Sequence, residues 1–328
     1  MDPLKQINKI TYANLQKALV HSVIAGGTAS MEYYRQPLKE YPAESISKNP
    51  STIADLHATL AIIYALDNYL SPITMTQFGC DFSCLAEETH YVDWFQNKLS
   101  APLFQKIKTP KNFFSQTKGI RVIIDGIDGT GNFLRGIPLF CSAAAIIVDN
   151  HPRVSALYDP VQHIVYSACL PGPDNNIRQN AEAWEWHISN NHRTDLTLLN
   201  QGHEKKTLLQ ETIGVHFSRS DPNKMHELLQ SNNSHSILEK LSRSSAGIYA
   251  FNSSFIAMIY VAQAALGAYV NNTTHLWDIA AGEVLVRACG GKVTDLNKNP
   301  IVYNSSSRLS VVAAREQLYD DLMHILLI

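Results

Sequence analysis

The run Ile123-Ile124-Asp125-Gly126-Ile127-Asp128-Gly129-Thr130-Gly131-Asn132-Phe133 constrains this chain more than any other stretch. An apolar strand ends on Asp125, a second carboxylate follows at Asp128, and Gly129-Thr130-Gly131 permits a tight turn into a short helix. Both carboxylates then lie beside N–H groups that a helix start leaves without internal acceptors. Carboxylates attract hard cations such as Mg²⁺, and N–H groups at a helix start accept phosphate oxygens. The same letters also fit an Asp-rich turn in which the carboxylates only cap the backbone. Two further places bear on the choice. Glu87 and Glu88 follow the apolar lead-in Cys84-Leu85-Ala86, which brings them to a strand end, or they form a surface acidic pair. Asp278, in His275-Leu276-Trp277-Asp278-Ile279-Ala280-Ala281-Gly282-Glu283, falls in the first turn of a helix of small residues, where it binds a ligand or merely complements the helix dipole.

Composition narrows the function classes. The chain has 328 residues, 45% of them hydrophobic, enough for a packed core. Its formal charge of −2 comes with no concentrated Lys/Arg block, which argues against a protein held on nucleic acid by phosphate contacts. The N-terminus has no continuous apolar h-region, and no stretch approaches the roughly 20 apolar residues of a membrane span. A soluble, cytoplasmic protein with no membrane partner is the expectation. The odd set Cys80, Cys84, Cys141, Cys169 and Cys289 fits reduced, buried thiols, and no second Cys/His pair follows Cys80 and Cys84 to complete a zinc site.

Helical periodicity predicts long helices over Ile10 to Tyr34 and Ile53 to Leu70, joined by a polar link ending in the candidate caps Ser51 and Thr52. From about Ile120 the runs RVIID, SAAAIIVD, RVSALYD and HIVYSACL read as a meandering sheet. A soft boundary near Pro171 divides an α+β domain, 1–170, from an α/β domain, 171–328. In the second, helical patterns near Pro222 to Gln230, Ile248 to Leu266 and Trp277 to Ala288 interleave with the strand candidates GAYV, GKVTD and LSVVAA.

The run IIDGIDGTGNF resembles the Asp-Pro-Ile-Asp-Gly-Thr-x-Asn-Phe signature of the inositol monophosphatase family, and WDIAAGEVLVRACGGKVTD resembles its C-terminal Trp-Asp-x-Ala-Ala-Gly signature. STIADLHA, AEET and VSALYDP are similar to further elements of that family in the same order. The resemblance implies an α/β fold of α+β layered type. This is the five-layer α-β-α-β-α sandwich of the inositol monophosphatase and fructose-1,6-bisphosphatase type. It implies a phosphatase acting on a small-molecule phosphomonoester, with roughly two to three Mg²⁺ ions and a homodimeric assembly. One ion takes Glu88, Asp125 and the carbonyl of Ile127; another takes Asp125, Asp128 and Asp278; a weaker third sits near Glu88. Thr130 and Asp55 orient the attacking water, with Glu88 the third catalytic member. Gly129, Thr130 and Gly131 hold the phosphate, and Glu87 stands behind Glu88.

The departures fall on the substrate side. Gly126 replaces the usual proline, which loosens the turn. Asn252-Ser253-Ser254 stands for the usual Gly-Ser-Ala. Asn271 stands where the family presents a glutamate to inositol. His275 matches a family histidine. These make Asn252, Asn271 and His275 the candidate substrate contacts. The Glu88 to Asp125 interval carries an inserted stretch, YVDWFQNKLSAPLFQKIKTPKNFF, read as an extra packed helix in preference to a lid or a partner surface. The other readings kept are a 3′(2′),5′-bisphosphate nucleotidase, a phosphatase of histidinol phosphate or fructose 1,6-bisphosphate, and a catalytically silent relative that binds a phosphometabolite or a partner protein.

Overall fold

A computed structural model describes residues 9–36, 52–79, 81–116, 120–148, 150–170, 181–197, 206–216, 237–305 and 307–327. The opening helices are α1 (Lys9–Met31) and α2 (Ile53–Tyr69), the latter capped by Thr52, whose hydroxyl accepts from the N–H groups of Ala54 and Asp55. After α3 (Ser71–Phe78), strand β1 (Phe82–Ala86) leads into a 3₁₀ turn, Glu87–His90. The inserted stretch forms α4 (Val92–Lys98), α5 (Ala101–Phe104) and α6 (Pro110–Phe114), which bury Phe95, Leu103 and Phe113. It packs as helices, as read. It also covers the edge of β1, where Cys84 N–H donates to Lys106 O and Lys108 N–H to Cys84 O, so that no long bare strand edge is left there.

Strand β2 (Ile120–Asp128), the short helix α7 (Thr130–Leu134), and strands β3 (Cys141–Val148), β4 (His151–Asp159), β5 (Ile164–Cys169), β6 (Glu182–His187) and β7 (His192–Asp195) follow. With β1 they make a seven-stranded sheet in sequence order, antiparallel from β2 onward, as the meander predicts. The two-residue period of the strands sorts their side chains. On β3, Cys141, Ala143, Ala145 and Ile147 face one core, while Ala144, Ile146 and Val148 face another that packs Leu15, Leu19, Leu56, Ile62 and Leu66 of α1 and α2.

The rest of the chain gives β8 (Thr212–His216), α8 (Ile237–Ser244), β9 (Gly247–Tyr249), α9 (Ser254–Ala262), β10 (Ala268–Thr274), α10 (Ala280–Ala288), β11 (Lys292–Thr294), β12 (Leu309–Ala314) and α11 (Glu316–Leu327). The strands form a second sheet in the order β11-β12-β10-β8-β9. Helices α9 and α10 are buried between the two sheets, and α8 and α11 cover the far face of the smaller one. The layers therefore run helix, sheet, helix, sheet, helix, the five-layer arrangement the motifs imply.

Element ends differ in places. The predicted helix over Ile248 to Leu266 is shorter and preceded by β9. Asn252 takes a left-handed conformation (φ 52°), Ser253 caps Ile256 N–H, and Ala264 (φ 59°) closes the other end. The predicted helix from Trp277 starts at Ala280, after a 3₁₀ turn over Leu276–Asp278. The boundary near Pro171, the cap Ser51, Cys80 and the helix near Pro222 to Gln230 lie outside the described residues. Strands β6 and β7, beyond Pro171, continue the larger sheet. Cys84, Cys141, Cys169 and Cys289 are buried free thiols. No helix of the described residues is long and apolar enough to cross a membrane.

A buried ion pair ties the ends of the smaller sheet: Arg315 Nη1, just after β12, lies 2.7 Å from Glu211 Oε1, just before β8, and both side chains are about 5% exposed or less. Breaking such a pair strands a charge, whereas removing both members need not. Arg315→Met is expected to lower unfolding free energy by about 3–5 kcal/mol. The double variant with Glu211→Met should recover most of the loss in urea melts; an additive double variant contradicts this account.

Candidate active site

The site is built on the end of β2. Asp125 pairs with Ala143 and Asp128 with Cys141, so β2 carries one residue more than β3 over this stretch. In a regular strand, residues three apart face opposite ways; the bulge re-aims them. Ser142 Oγ satisfies the Gly126 carbonyl at 2.6 Å inside the irregularity. Gly126 does more than loosen the turn. A Cβ there would sit 2.5 Å from Thr59 Oγ1 and 2.8 Å from the Asp55 carbonyl, so its bare Cα lets α2 press against the bulge. Gly129, at φ 91°, makes the turn into α7.

Asp125 is buried, and neither of its carboxylate oxygens has a hydrogen-bond partner among the described residues. Oxygens of Glu87, Asp125 and Asp278 all lie within 4.8 Å of one another. The motif gives Glu88 the cation-facing place and Glu87 the place behind it; the geometry is the reverse. The 3₁₀ turn sends Glu88 back toward α2, where its Oε2 accepts from Thr59 Oγ1 at 2.7 Å, and leaves Glu87 facing Asp125.

The remaining carboxylates are each held from a different element. Asp55 accepts from Thr52 N–H (2.7 Å) and from Thr130 Oγ1 (2.8 Å). The Thr130 hydroxyl also lies 3.0 Å from the Ile127 carbonyl. Asp128 accepts from Ser253 Oγ and from the N–H groups of Ser254 (3.2 Å) and Phe255 (2.9 Å), so it caps α9 across the molecule and meets the positive end of that helix. Asp278 accepts from Thr274 Oγ1 and His275 N–H, both at 2.9 Å. The first turn of α7 leaves the N–H groups of Thr130 and Gly131 without acceptors inside the helix.

Burial concentrates these charges where water cannot screen them. It pushes Asp125 and Glu87 well above the usual carboxylate range, Asp125 with further repulsion from Glu87 and Asp128, and Glu87 from Glu88 and Asp278. Burial and then Asp55 raise Glu88 to about 8. Asp128 rises to about 7 and Asp55 to about 6, both by burial, against the pull of their hydrogen bonds. Asp278 is raised too, again by burial.

The candidate substrate residues behave differently from one another. Asn252 is exposed at the entrance to α9. Asn271 is buried and turned back on its own strand, its Nδ2 donating to Tyr269 Oη (3.1 Å) and its Oδ1 accepting from Thr273 N–H (3.0 Å). His275 is half-buried and stacked on Trp277, with ring centroids 4.3 Å apart and 10° between planes. Burial, then the charge of Arg308, lowers His275 to about 4, so the ring is neutral at neutral pH.

The native metal-free cluster keeps protons that an unfolded chain, with carboxylates titrating near 4, has released. Between about pH 5 and 8 the native state binds more protons, so its stability falls as pH rises; below about pH 4 both states are protonated and the effect vanishes. The melting temperature in EDTA is expected to drop across that window, and excess Mg²⁺ to raise it more at pH 8 than at pH 5. Scanning calorimetry checks both, and a metal-free protein that melts higher at pH 8 contradicts the assignment.

The profile of the inositol monophosphatase family matches residues 101–326. The chain is 31% identical over 190 residues to the probable inositol 1-monophosphatase ImpA of Mycobacterium tuberculosis, covering 57% of this chain and 62% of that one. It is 29% identical over 174 residues to the Nus factor SuhB of Xylella fastidiosa, covering 53% and 54%. The matched stretch is thus less than two thirds of either relative's length. The fold is similar to that of the extragenic suppressor protein suhB from Bartonella henselae, with a TM-score of 0.68, 19% identity, and 95% of this chain and 98% of that chain covered.

Proposed function

Because the chain belongs to the inositol monophosphatase family, we propose that it hydrolyses the phosphate ester of a small metabolite by a Mg²⁺-dependent, inositol-1-monophosphatase-like reaction. The observation that carries this is Asp125. A buried carboxylate with both oxygens unpaired costs several kcal/mol unless a cation meets it, and Glu87 and Asp278 stand at ligand distance around the same point. An all-oxygen donor set suits a hard cation. Glu87, Asp125 and the Ile127 carbonyl form one candidate ligand set, and Asp125, Asp128 and Asp278 the other.

Bound Mg²⁺ supplies positive charge against the phosphoryl oxygens and makes nearby water more acidic. The chain's own residues do the positioning. Thr130 donates its proton to Asp55, which Thr52 holds from the other side, so the Thr130 oxygen keeps its lone pairs for a water. That water is aimed at phosphorus, and the N–H groups of Gly129, Thr130 and Gly131 hold the phosphoryl oxygens. Asp55, through Thr130, acts as a positioning residue.

Phosphate release from a panel of phosphomonoesters, with Mg²⁺ and with EDTA, tests the reading; no turnover of any member with Mg²⁺ would sink it. Asp125→Asn is expected to cut Mg²⁺-dependent turnover at least about a hundredfold, since it alters the ligand common to both sets. Thr130→Ala is expected to lower kcat about a hundredfold or more with the Mg²⁺ requirement little changed, whereas loss of a mere helix cap would lower the melting point and leave kcat intact. Magnesium titrations and melts of the two variants separate these outcomes.

A further inference from the structure

Asp125 is held in place through its backbone. Asp55, Glu88, Asp128 and Asp278 are each steered by hydrogen bonds to their own carboxylates, whereas neither oxygen of Asp125 accepts one among the described residues. The aim of the ligand common to both candidate sets therefore follows from the chain just after it. There the ladders stop. Pairing with β1 ends at Ile124, and pairing with β3 passes from Asp125 to Asp128, so Gly126 and Ile127 fall outside both registers.

A peptide unit is planar, so the Gly126 carbonyl and the Ile127 N–H turn together, and a glycine gives that turn the widest range. Proline, which the resembling signature has here, would stiffen the step by fixing its own φ. The packing of this chain refuses it: a Cβ on residue 126 would stand 2.5 Å from Thr59 Oγ1 and 2.8 Å from the Asp55 carbonyl, both on α2. Restraint comes from the facing strand instead. Ser142 is 1% exposed and stands between Cys141 and Ala143, the partners of Asp128 and Asp125. Its hydroxyl donates to the Gly126 carbonyl at 2.6 Å, and it lies outside both signature runs.

We propose that Ser142 is a positioning residue of the cation site: its hydroxyl fixes the peptide plane between Asp125 and Ile127, and with it the aim of the Asp125 carboxylate and the Ile127 carbonyl. This rests on the phosphatase reading above and adds a residue to it. Removing the hydroxyl leaves a buried carbonyl short of its donor, and the plane is then free to turn.

The test compares two serines. Ser142→Ala removes this bond, and Ser167→Ala removes a similar one three strands from β2, where buried Ser167 on β5 donates to the Ser155 carbonyl on β4 at 2.7 Å. Mg²⁺ binding to the metal-free protein, read by titration calorimetry without substrate, is expected to weaken about tenfold to a hundredfold in Ser142→Ala and to stay unchanged in Ser167→Ala. Turnover at subsaturating Mg²⁺ should fall in parallel, with KM for the ester at saturating Mg²⁺ little changed. Melts in EDTA establish that both variants are folded at the assay temperature; a merely structural hydroxyl would lower both melts and leave both affinities alone. Unchanged Mg²⁺ affinity in Ser142→Ala, or an equal loss in Ser167→Ala, overturns the proposal and leaves the phosphatase reading intact. Lack of turnover of every ester by the unaltered protein overturns the phosphatase reading, and the Mg²⁺ affinities of the variants still decide the role of Ser142. Absence of Mg²⁺ binding by the unaltered protein overturns both.

Discussion

Mutual repulsion among buried carboxylates is the constraint around which the rest of the molecule is arranged. Asp55, Glu87, Glu88, Asp125, Asp128 and Asp278 converge from α2, the turn after β1, the end of β2 and the turn before α10. Left alone in a low-dielectric interior they would drive these elements apart. The fold answers with donors both local and distant: Thr52 of its own cap and Thr130 for Asp55, Thr59 of α2 for Glu88, the start of α9 for Asp128, and the adjacent Thr274 and His275 N–H for Asp278. The distant bonds, from Thr130, Thr59 and the start of α9, therefore tie separate elements together as well as settling a charge. Asp125 receives none, and the charge left over is what a cation is suited to meet.

The middle layer makes that convergence possible. Helices α9 and α10 are apolar on both sides because each faces a sheet, and the charges they do bury are paired. Glu283 lies 3.1 Å from Arg287 and accepts from Tyr303 Oη at 2.8 Å. A helix layer fixed in this way delivers the N-terminus of α9 to Asp128, so an acid of the larger sheet is positioned by a helix packed against the smaller one. The Arg315–Glu211 pair does for the smaller sheet what Ser142 does for the β2 bulge: it satisfies polar groups where the regular ladder ends.

Much of this could be read from the letters. Short β-rich runs located β2 to β5 but not β6 and β7, whose polar residues beyond Pro171 gave no strand signal; helical periodicity located α1 and α2, and the Asp-Gly-rich run located Asp125 and Asp128 at a strand end. Local geometry escaped where a single dihedral or turn decides it. Glu87 and Glu88 are equivalent in composition, and only the 3₁₀ turn tells which of them faces Asp125. The start of α9 depends on Asn252 at φ 52°, which apolar periodicity across Ile248 to Leu266 does not register. Gly126 looked like a flexible joint because the pressure of α2 on it is a tertiary fact. Asn271 looked like a substrate contact because a sequence does not say that its carboxamide is held by Tyr269 and Thr273 within β10.

The split between what was legible and what was not follows the division of labour in the site. The carboxylates of the site and their donors are interlocked: Thr130 with Asp55, Asp55 with Thr52, Glu88 with Thr59, Asp128 with Ser253. Changing one disturbs its partner, so that part can be written only with a narrow set of side chains and yields recognisable motifs. The rim obeys no such rule. Asn252, for example, is exposed at a helix start, where a side chain can be exchanged with little effect on the core beneath. The interlocked part of the site is therefore the legible part, and the exposed chain ends around it leave no pattern for a sequence to show.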